Sequence, residues 1–351
     1  MYANAFSSAE NKFPSEYCGI PIYWETDEKK DWKRKLLYPV MLKAVDPKGF
    51  SDAIQVRIFL RKLKQIRKQY PFEAVVSTSE PYAMAVTAAR IPRAKKLLYL
   101  MDPPACVSNG TETPYRNRTL KSNLRRLDSV LTTPFIKNAL REHGLSEPKK
   151  GFVTVGFPMI RLSAPTPTGQ GTNRIRLLFC GWLYSEIRSP RYFLDIVSRL
   201  DERFEVTFMG KECEMLRERF PIETKAAIVT LPHQPYEVAQ QAMADADVLI
   251  NIGNSVPVHM PSKTLEYINT GKPMVNFHKL ADCPTLYYTR RYPLALNLFE
   301  GDPDIETAAE TFAHFCEESK GKTVDRELIL HEYADCTPEY IAQKILDCLE
   351  N

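Results

Sequence analysis

Short apolar runs and segments of helical spacing alternate along most of this chain. From about residue 70 onward the runs are roughly four to eight residues long, the length of strands rather than helices. They are PFEAVVSTSEP (71–81), residues 96–101, LDSVLTTP (127–134), GFVTVGFP (151–158), RIRLLFCG (174–181), RFEVTFMG (203–210), AIVTL (227–231), residues 247–252, residues 273–277 and ALNL (295–298). Between them lie predicted helices at 82–90, 135–143, 212–220, 235–244 and 262–270, with another opened by Ser189-Pro190, serine as cap and proline at the first helical position. Two more, at 304–319 and 338–349, close the chain. Runs that stay apolar instead of alternating need cover on both faces, which is the condition of a parallel strand in an open α/β sheet. The run at 71–81 is therefore predicted to be a buried strand followed by a small-residue loop.

The alternation is interrupted once, by SAPTPTGQGTN (163–173), whose Pro, Gly, Ser and Thr content marks a linker. Two units follow, residues 1–162 and 174–351, and 351 residues suffice for two domains of ordinary size. The last helix is expected to pack back onto the first unit. Residues 1–50 are the least regular: GIPIYW (19–24) reads as a strand and is followed by the charged stretch DEKKDWKRK. A helix is predicted over 51–68, with Ile54, Ile58, Leu63 and Ile66 near one face and Arg57, Arg61, Lys62, Lys64, Arg67 and Lys68 on the other.

Charge changes this picture more than composition does. Residues 1–160 hold 27 Lys and Arg against 15 Asp and Glu, whereas the remainder holds 20 against 28. A basic first half beside an acidic second half points to an anionic partner for the former, such as an anionic membrane surface. The opening residues lack the apolar core of a signal peptide, and no run approaches the ~20 apolar residues of a membrane span. The eight cysteines are scattered, with no C-x-x-C pair and no metal-ligand spacing with histidine. A cytoplasmic protein with reduced thiols, peripheral to a membrane at most, is the expectation. Few aromatics interleave the charge runs, which argues against a nucleic-acid partner.

Candidate chemistry concentrates in DVLINIGNSVPVHMPSKTLEYINTGKPMVNF (247–277). The pattern is strand, loop, helix, strand. Ser262 is predicted to cap the helix, leaving the N–H groups of Lys263, Thr264 and Leu265 free at the carboxyl edge of the sheet. Free N–H groups, the positive end of the helix and the Lys263 ammonium together suit a phosphate or diphosphate. Glu266, one turn on, can accept from two neighbouring sugar hydroxyls. The plainer alternative is that Ser262 only caps, Lys263 is solvated and Glu266 pairs with a surface lysine. Asn251, Asn254 and Ser255 in the preceding loop offer hydrogen bonds to sugar hydroxyls or diphosphate. In the first unit, ligands of an open sheet lie beyond the carboxyl ends of the strands, which places Ser77, Thr78, Ser79 and Asp102 at the candidate cleft. Asp102 would act on a ligand there, or would only cap the turn before Pro103-Pro104.

PSKTLEY followed by TGKPMV resembles the donor-binding segment of GT-B glycosyltransferases, family 4 and its Pro-x-Lys relatives in particular. The resemblance covers about residues 71–349. It implies two Rossmann-like domains facing across a cleft, with a UDP- or GDP-linked sugar held by the second domain. It further implies transfer of that sugar to a glycan or lipid-linked acceptor, as in surface polysaccharide synthesis, with no bound metal. Lys263 would neutralise the departing diphosphate and Glu266 would hold the ribose, while Ser77, Ser79 and Asp102 would lie on the acceptor side, Asp102 as acceptor base or acceptor ligand. The loop GWLYSEIRSP, opened by Gly181, is similar to a family loop with two basic residues; Arg188 matches the second, and Trp182 stands where the first would be. His233 falls in the loop that meets the base. Two departures stand out. Val258 occupies the place of a second family glutamate, and no apolar strand with a glycine-rich loop precedes Tyr17: either the first unit is degenerate or the chain begins late, and residues 17–50 would then have to cover the exposed sheet edge. A GT-B protein without activity, acting as a partner subunit, and another GT-B enzyme such as a sugar-nucleotide epimerase remain alternatives. No Ser-His-Asp spacing or Walker loop is present.

Overall fold

The computed structural model describes residues 50–79, 82–102, 104, 121–162, 166–167, 173–183 and 187–350, with short strands at 2–4, 16–17, 20–21 and 23–25. Two parallel sheets organise the described chain. The first contains β1 (Ala74–Thr78), β2 (Lys95–Leu100), β3 (Ser129–Thr132) and β4 (Phe152–Thr154), side by side in chain order. The second contains β5 (Ile175–Cys180), β6 (Phe204–Met209), β7 (Ala227–Leu231), β8 (Val248–Ile252), β9 (Met274–His278) and β10 (Ala295–Phe299), in the order β7-β6-β5-β8-β9-β10. The chain builds outward from β5 through β7, then returns to place β8 on the other flank of β5. Loops leaving β5 and β8 therefore diverge, and a crevice opens at their carboxyl ends.

Burial follows from this order. All five residues of β8 are buried, as an inner parallel strand requires. β1 is different: Ser77 is buried but Val76 is 45% exposed, because β1 is the outermost described strand of its sheet and only part of it is covered. The expected buried strand at 71–81 is thus corrected to an edge. The short strands before it form two pairs of their own, Tyr2–Asn4 with Tyr23–Glu25 and Glu16–Tyr17 with Ile20–Pro21, so the strand expected at 19–24 divides between them. Whether 17–50 cover the edge of β1 lies outside the described residues, as does most of the expected linker.

Helix α1 (Phe50–Gln69) docks on α2 (Tyr82–Arg90) through Val56, Phe59 and Leu60, which meet Tyr82, Ala83 and Val86. The face chosen from spacing is corrected by this contact, since Ile54 is 44% exposed. Between the sheets' strands lie α3 (Pro134–Glu142), α4 (Arg191–Val197), α5 (Leu216–Arg219), α6 (Tyr236–Asp245), α7 (Lys263–Thr270) and α8 (Pro284–Thr289). Pro190 is the cap of α4 rather than its first residue, and no side chain caps that helix. The helix expected at 212–220 splits into a 3-10 turn, Cys213–Met215, and the single turn of α5.

Three helices close the chain instead of two: α9 (Ile305–Ser319), α10 (Arg326–Glu332) and α11 (Pro338–Glu350), with a 3-10 turn at Ala334–Cys336. α8 and α10 are too short to display an apolar period, which is why the pattern passes over them. α11 lies on the first sheet, where Ile341 joins Leu97, Leu131 and Val155 in one cluster. The crossing is held by backbone bonds, Gly156 N to Asp335 O at 2.9 Å and Ile160 N to Cys336 O at 3.1 Å. A Cβ on Gly156 would stand 2.2 Å from Cys336 Sγ, so only glycine allows the approach. Under the second sheet, Phe193 of α4 packs within 5.1–5.8 Å of the Phe277, Phe208 and Phe312 rings. This aromatic base fixes the strands whose ends carry the site.

Candidate functional site

The crevice between β5 and β8 is floored by two glycine turns. Gly181 N donates to Met209 O at 2.9 Å, and Gly210 lies so close to Gly181 that a Cβ there would be 1.9 Å from Gly181 O. Gly210 also has a φ of +139°, a conformation that side chains rarely adopt. From the α7 side, Tyr267 ties the helix to this floor. Its buried hydroxyl accepts from Cys180 N at 2.8 Å and donates to Cys180 O at 3.1 Å. Burial raises the Tyr267 phenol well above its ordinary range, so it stays neutral and keeps both bonds.

The start of α7 differs from the expected capped helix. Ser262 is itself helical (φ −59°, ψ −27°) and its side chain caps nothing. The chain enters through a tight turn in which Thr264 N donates to Pro261 O and Leu265 N to Ser262 O, at 3.1 and 3.2 Å. Two of the N–H groups counted on for an anion are thereby occupied. Thr264 belongs to the core: it is fully buried, with its hydroxyl 3.3 Å from Asn251 Oδ1. Asn251 is likewise structural. It donates to Asn276, which donates to Asn297, forming a ladder across β8, β9 and β10 at 2.7 and 2.8 Å.

Lys263 and Glu266 face the crevice together. Their Nζ–Oε2 distance is 2.6 Å, and Gln240 of α6 donates to the same carboxylate oxygen at 3.1 Å. Both act electrostatically on the buried Cys180 thiol at the end of β5, whose pKa is raised chiefly by burial. The cation and the carboxylate are therefore gathered beside the β5 turn. Arg188, 9% exposed, closes the opposite wall: its Nη1 donates to Trp182 O at 3.1 Å and its Nε to Asn254 Oδ1 at 3.0 Å. Ser255 N donates to Ile187 O at 2.8 Å, so the β5 and β8 loops are stitched together. Lys211, after β6, lies 3.6 Å from the Trp182 ring centre and supplies a second cation at the corner where the loop itself offers only Trp182. His233 is exposed on the loop after β7.

On the first sheet, Asp102 is exposed at the carboxyl end of β2 and Ser79 is half-buried just past β1. Ser77 turns inward, with its hydroxyl 3.3 Å from Leu97 O, and so serves the sheet rather than a ligand. His259, which the sequence pattern passed over, packs beside Asn254, whose Nδ2 lies 3.0 Å from His259 Nδ1. Burial lowers its pKa, with Asp102 raising it and Arg188 lowering it further, so the ring is near enough to both to feel their fields. Among the described residues no group of His, Cys, Asp and Glu is arranged to hold a metal ion.

No protein-family profile and no curated protein sequence matches the chain. Solved structures do. The lipopolysaccharide outer core galactosyltransferase WaaB, in its apo form, aligns with 94% of this chain and 84% of its own at a TM-score of 0.56 and 14% identity. HepE from Anabaena, in complex with UDP and glucose, aligns with 95% of this chain and 86% of its own at 0.60 and 13% identity. Sucrose-phosphate synthase from Thermosynechococcus elongatus aligns with 82% of this chain and 76% of its own at 0.61 and 12% identity. The chain has the GT-B fold. Both sheets of that fold are represented, and the crevice lined by Lys263, Glu266 and Arg188 belongs to the second GT-B sheet. Asp102 and Ser79 lie at the carboxyl edge of the first. Among the described residues no helix is long and apolar enough to cross a membrane.

Proposed function

We propose that this chain is a glycosyltransferase that moves a hexosyl group from a UDP- or GDP-linked donor to a glycan or lipid-linked acceptor, in the synthesis of a surface polysaccharide. The observation that carries the reading is the meeting of Lys263, Glu266 and Arg188 at the β5–β8 crevice of a GT-B fold. A structural neighbour, HepE, is known in complex with UDP-glucose, which supports a nucleotide sugar as the ligand class.

Breaking a glycosidic bond to a diphosphate leaves negative charge on the departing oxygen. Cations held in place before the reaction lower that barrier, each preorganised donor by roughly 3 kcal/mol. Lys263 and Arg188 are the groups of this chain suited to that role. Lys263 is now paired with Glu266; a diphosphate would compete for the ammonium and release the carboxylate for the two ribose hydroxyls. Asp102 would receive or orient the acceptor hydroxyl. On this reading the two cations take the place of a divalent ion, and activity should persist in chelator.

The test is calorimetry with UDP, GDP and the matching nucleosides. Lys263→Ala should weaken the diphosphates about tenfold or more while sparing the nucleosides, and Glu266→Ala should weaken both. Wild-type affinity in both variants would remove the site from the account.

A further inference from the structure

Asn254 is 1% exposed and held at both ends. Its Oδ1 accepts from Arg188 Nε at 3.0 Å, while its Nδ2 lies 2.9 Å from the His259 carbonyl oxygen and 3.0 Å from His259 Nδ1. A guanidinium can only donate and a carbonyl can only accept, so the amide has one consistent orientation. Its N–H then meets Nδ1, which must be bare, and the ring proton sits on Nε2. An arginine thus sets the tautomer of a histidine through one asparagine.

The backbone before the ring is strained. Val258 has a φ of +56°, costly for a β-branched residue. Its side chain packs against the core of the first sheet, the cluster of Leu98, Leu100 and Leu124. His259 follows directly, one asparagine away from Arg188, and both Arg188 and Asp102 act on it electrostatically. Burial keeps the imidazole neutral.

On the proposed reading, Arg188 marks the diphosphate and Asp102 the acceptor. The group in transit must lie between the leaving oxygen and the acceptor hydroxyl. We infer that His259 is a sugar-positioning residue, whose Nε2–H donates to a hydroxyl of the transferred hexosyl group. This rests on the proposed transferase function. A neutral donor suits a hydroxyl, because it orients the sugar without adding a charge that competes for the diphosphate.

Calorimetry with UDP, UDP-glucose, GDP and GDP-mannose tests the inference on the full chain. His259→Ala should leave UDP and GDP within about twofold of wild type and weaken the preferred sugar nucleotide about tenfold, the worth of one good hydrogen bond. His259→Gln, whose amide can donate, should recover most of that loss, and His259→Phe, a ring without a donor, should not. Should His259→Ala fail to fold, the Gln and Phe variants carry the comparison. Equal loss for diphosphate and sugar nucleotide would make His259 a purely structural residue, and unchanged affinity throughout would also overturn the inference. A wild-type chain that binds none of the four ligands would overturn the proposed function itself, and this inference with it.

Discussion

Tyr267 illustrates what a single side chain contributes at this site. Its hydroxyl bonds both backbone groups of Cys180, 87 residues earlier, and locks α7 to the β5 turn. Tyr267→Phe would leave a buried N–H and a buried carbonyl unpaired, so denaturant unfolding should show a loss of about 1–3 kcal/mol. The Glu-Tyr pair on a helix is readable in sequence; a bond across 87 residues is not, because nothing local specifies it. The same limit hid His259 and Gln240, whose roles come only from what folds against them. Lys263 and Glu266 were legible as residues, since their spacing places them on one helical face. Their mutual ion pair departs from the plainer reading: Glu266 does meet a lysine, but that lysine is Lys263 itself, and Ser262 caps nothing.

Glu300 gives a pH signature at the same scale. Burial raises its carboxyl from an ordinary 4.5 to about 7, against the opposing pull of Lys279 at 3.7 Å. Its Oε1 has no partner among the described residues. The native state therefore binds more protons than the unfolded chain between those values, and this group's contribution to stability falls as pH rises from about 4.5 to about 7. Glu300→Gln should leave stability nearly unchanged near pH 4 and raise it well above pH 7, by up to about 3 kcal/mol. Thermal unfolding across that range reads the difference directly; an equal effect at both ends would mean the carboxylate is not the cause.

At the scale of elements, strands were more legible than helix ends. β7 spans the predicted residues, 227–231, because a short apolar run needs only its own composition. The start of α7 was misread because serine before a helix fits a cap, while the backbone enters through a tight turn that only the neighbouring Pro261 carbonyl defines. α1 shows the effect of packing on a face: docking on α2 selected Val56 and exposed Ile54. It leaves Arg57, Arg61, Lys64 and Lys68 exposed, while Arg67 is spent on the Pro92 and Arg93 carbonyls at 2.5 Å. We propose that this face meets an anionic membrane surface, at about 1 kcal/mol per basic residue near it. Sedimentation with anionic vesicles should fall with added salt and with Arg57, Arg61, Lys64 and Lys68 changed to Gln; indifference to lipid charge at low salt would return the face to a role in solubility.

For the whole molecule, the alternation of apolar runs was enough to recover a parallel α/β chain, and the Pro-Lys-Glu-Tyr segment to resemble GT-B proteins. The edge position of β1 was less legible, because it depends on the order of the described strands across the sheet and not on the composition of the run itself. α11 binds the two halves by lying on the first sheet while the rest of the closing segment packs on the second. A fold shared at 12–14% identity leaves the reaction to be measured. The most direct measurement is donor turnover by the purified chain, with UDP- and GDP-sugars, a crude lipid-linked acceptor fraction and chelator present. The account predicts acceptor-dependent release of nucleoside diphosphate that is lost in Lys263→Ala. Tight nucleotide binding without turnover, restored only by adding a second protein, would contradict it.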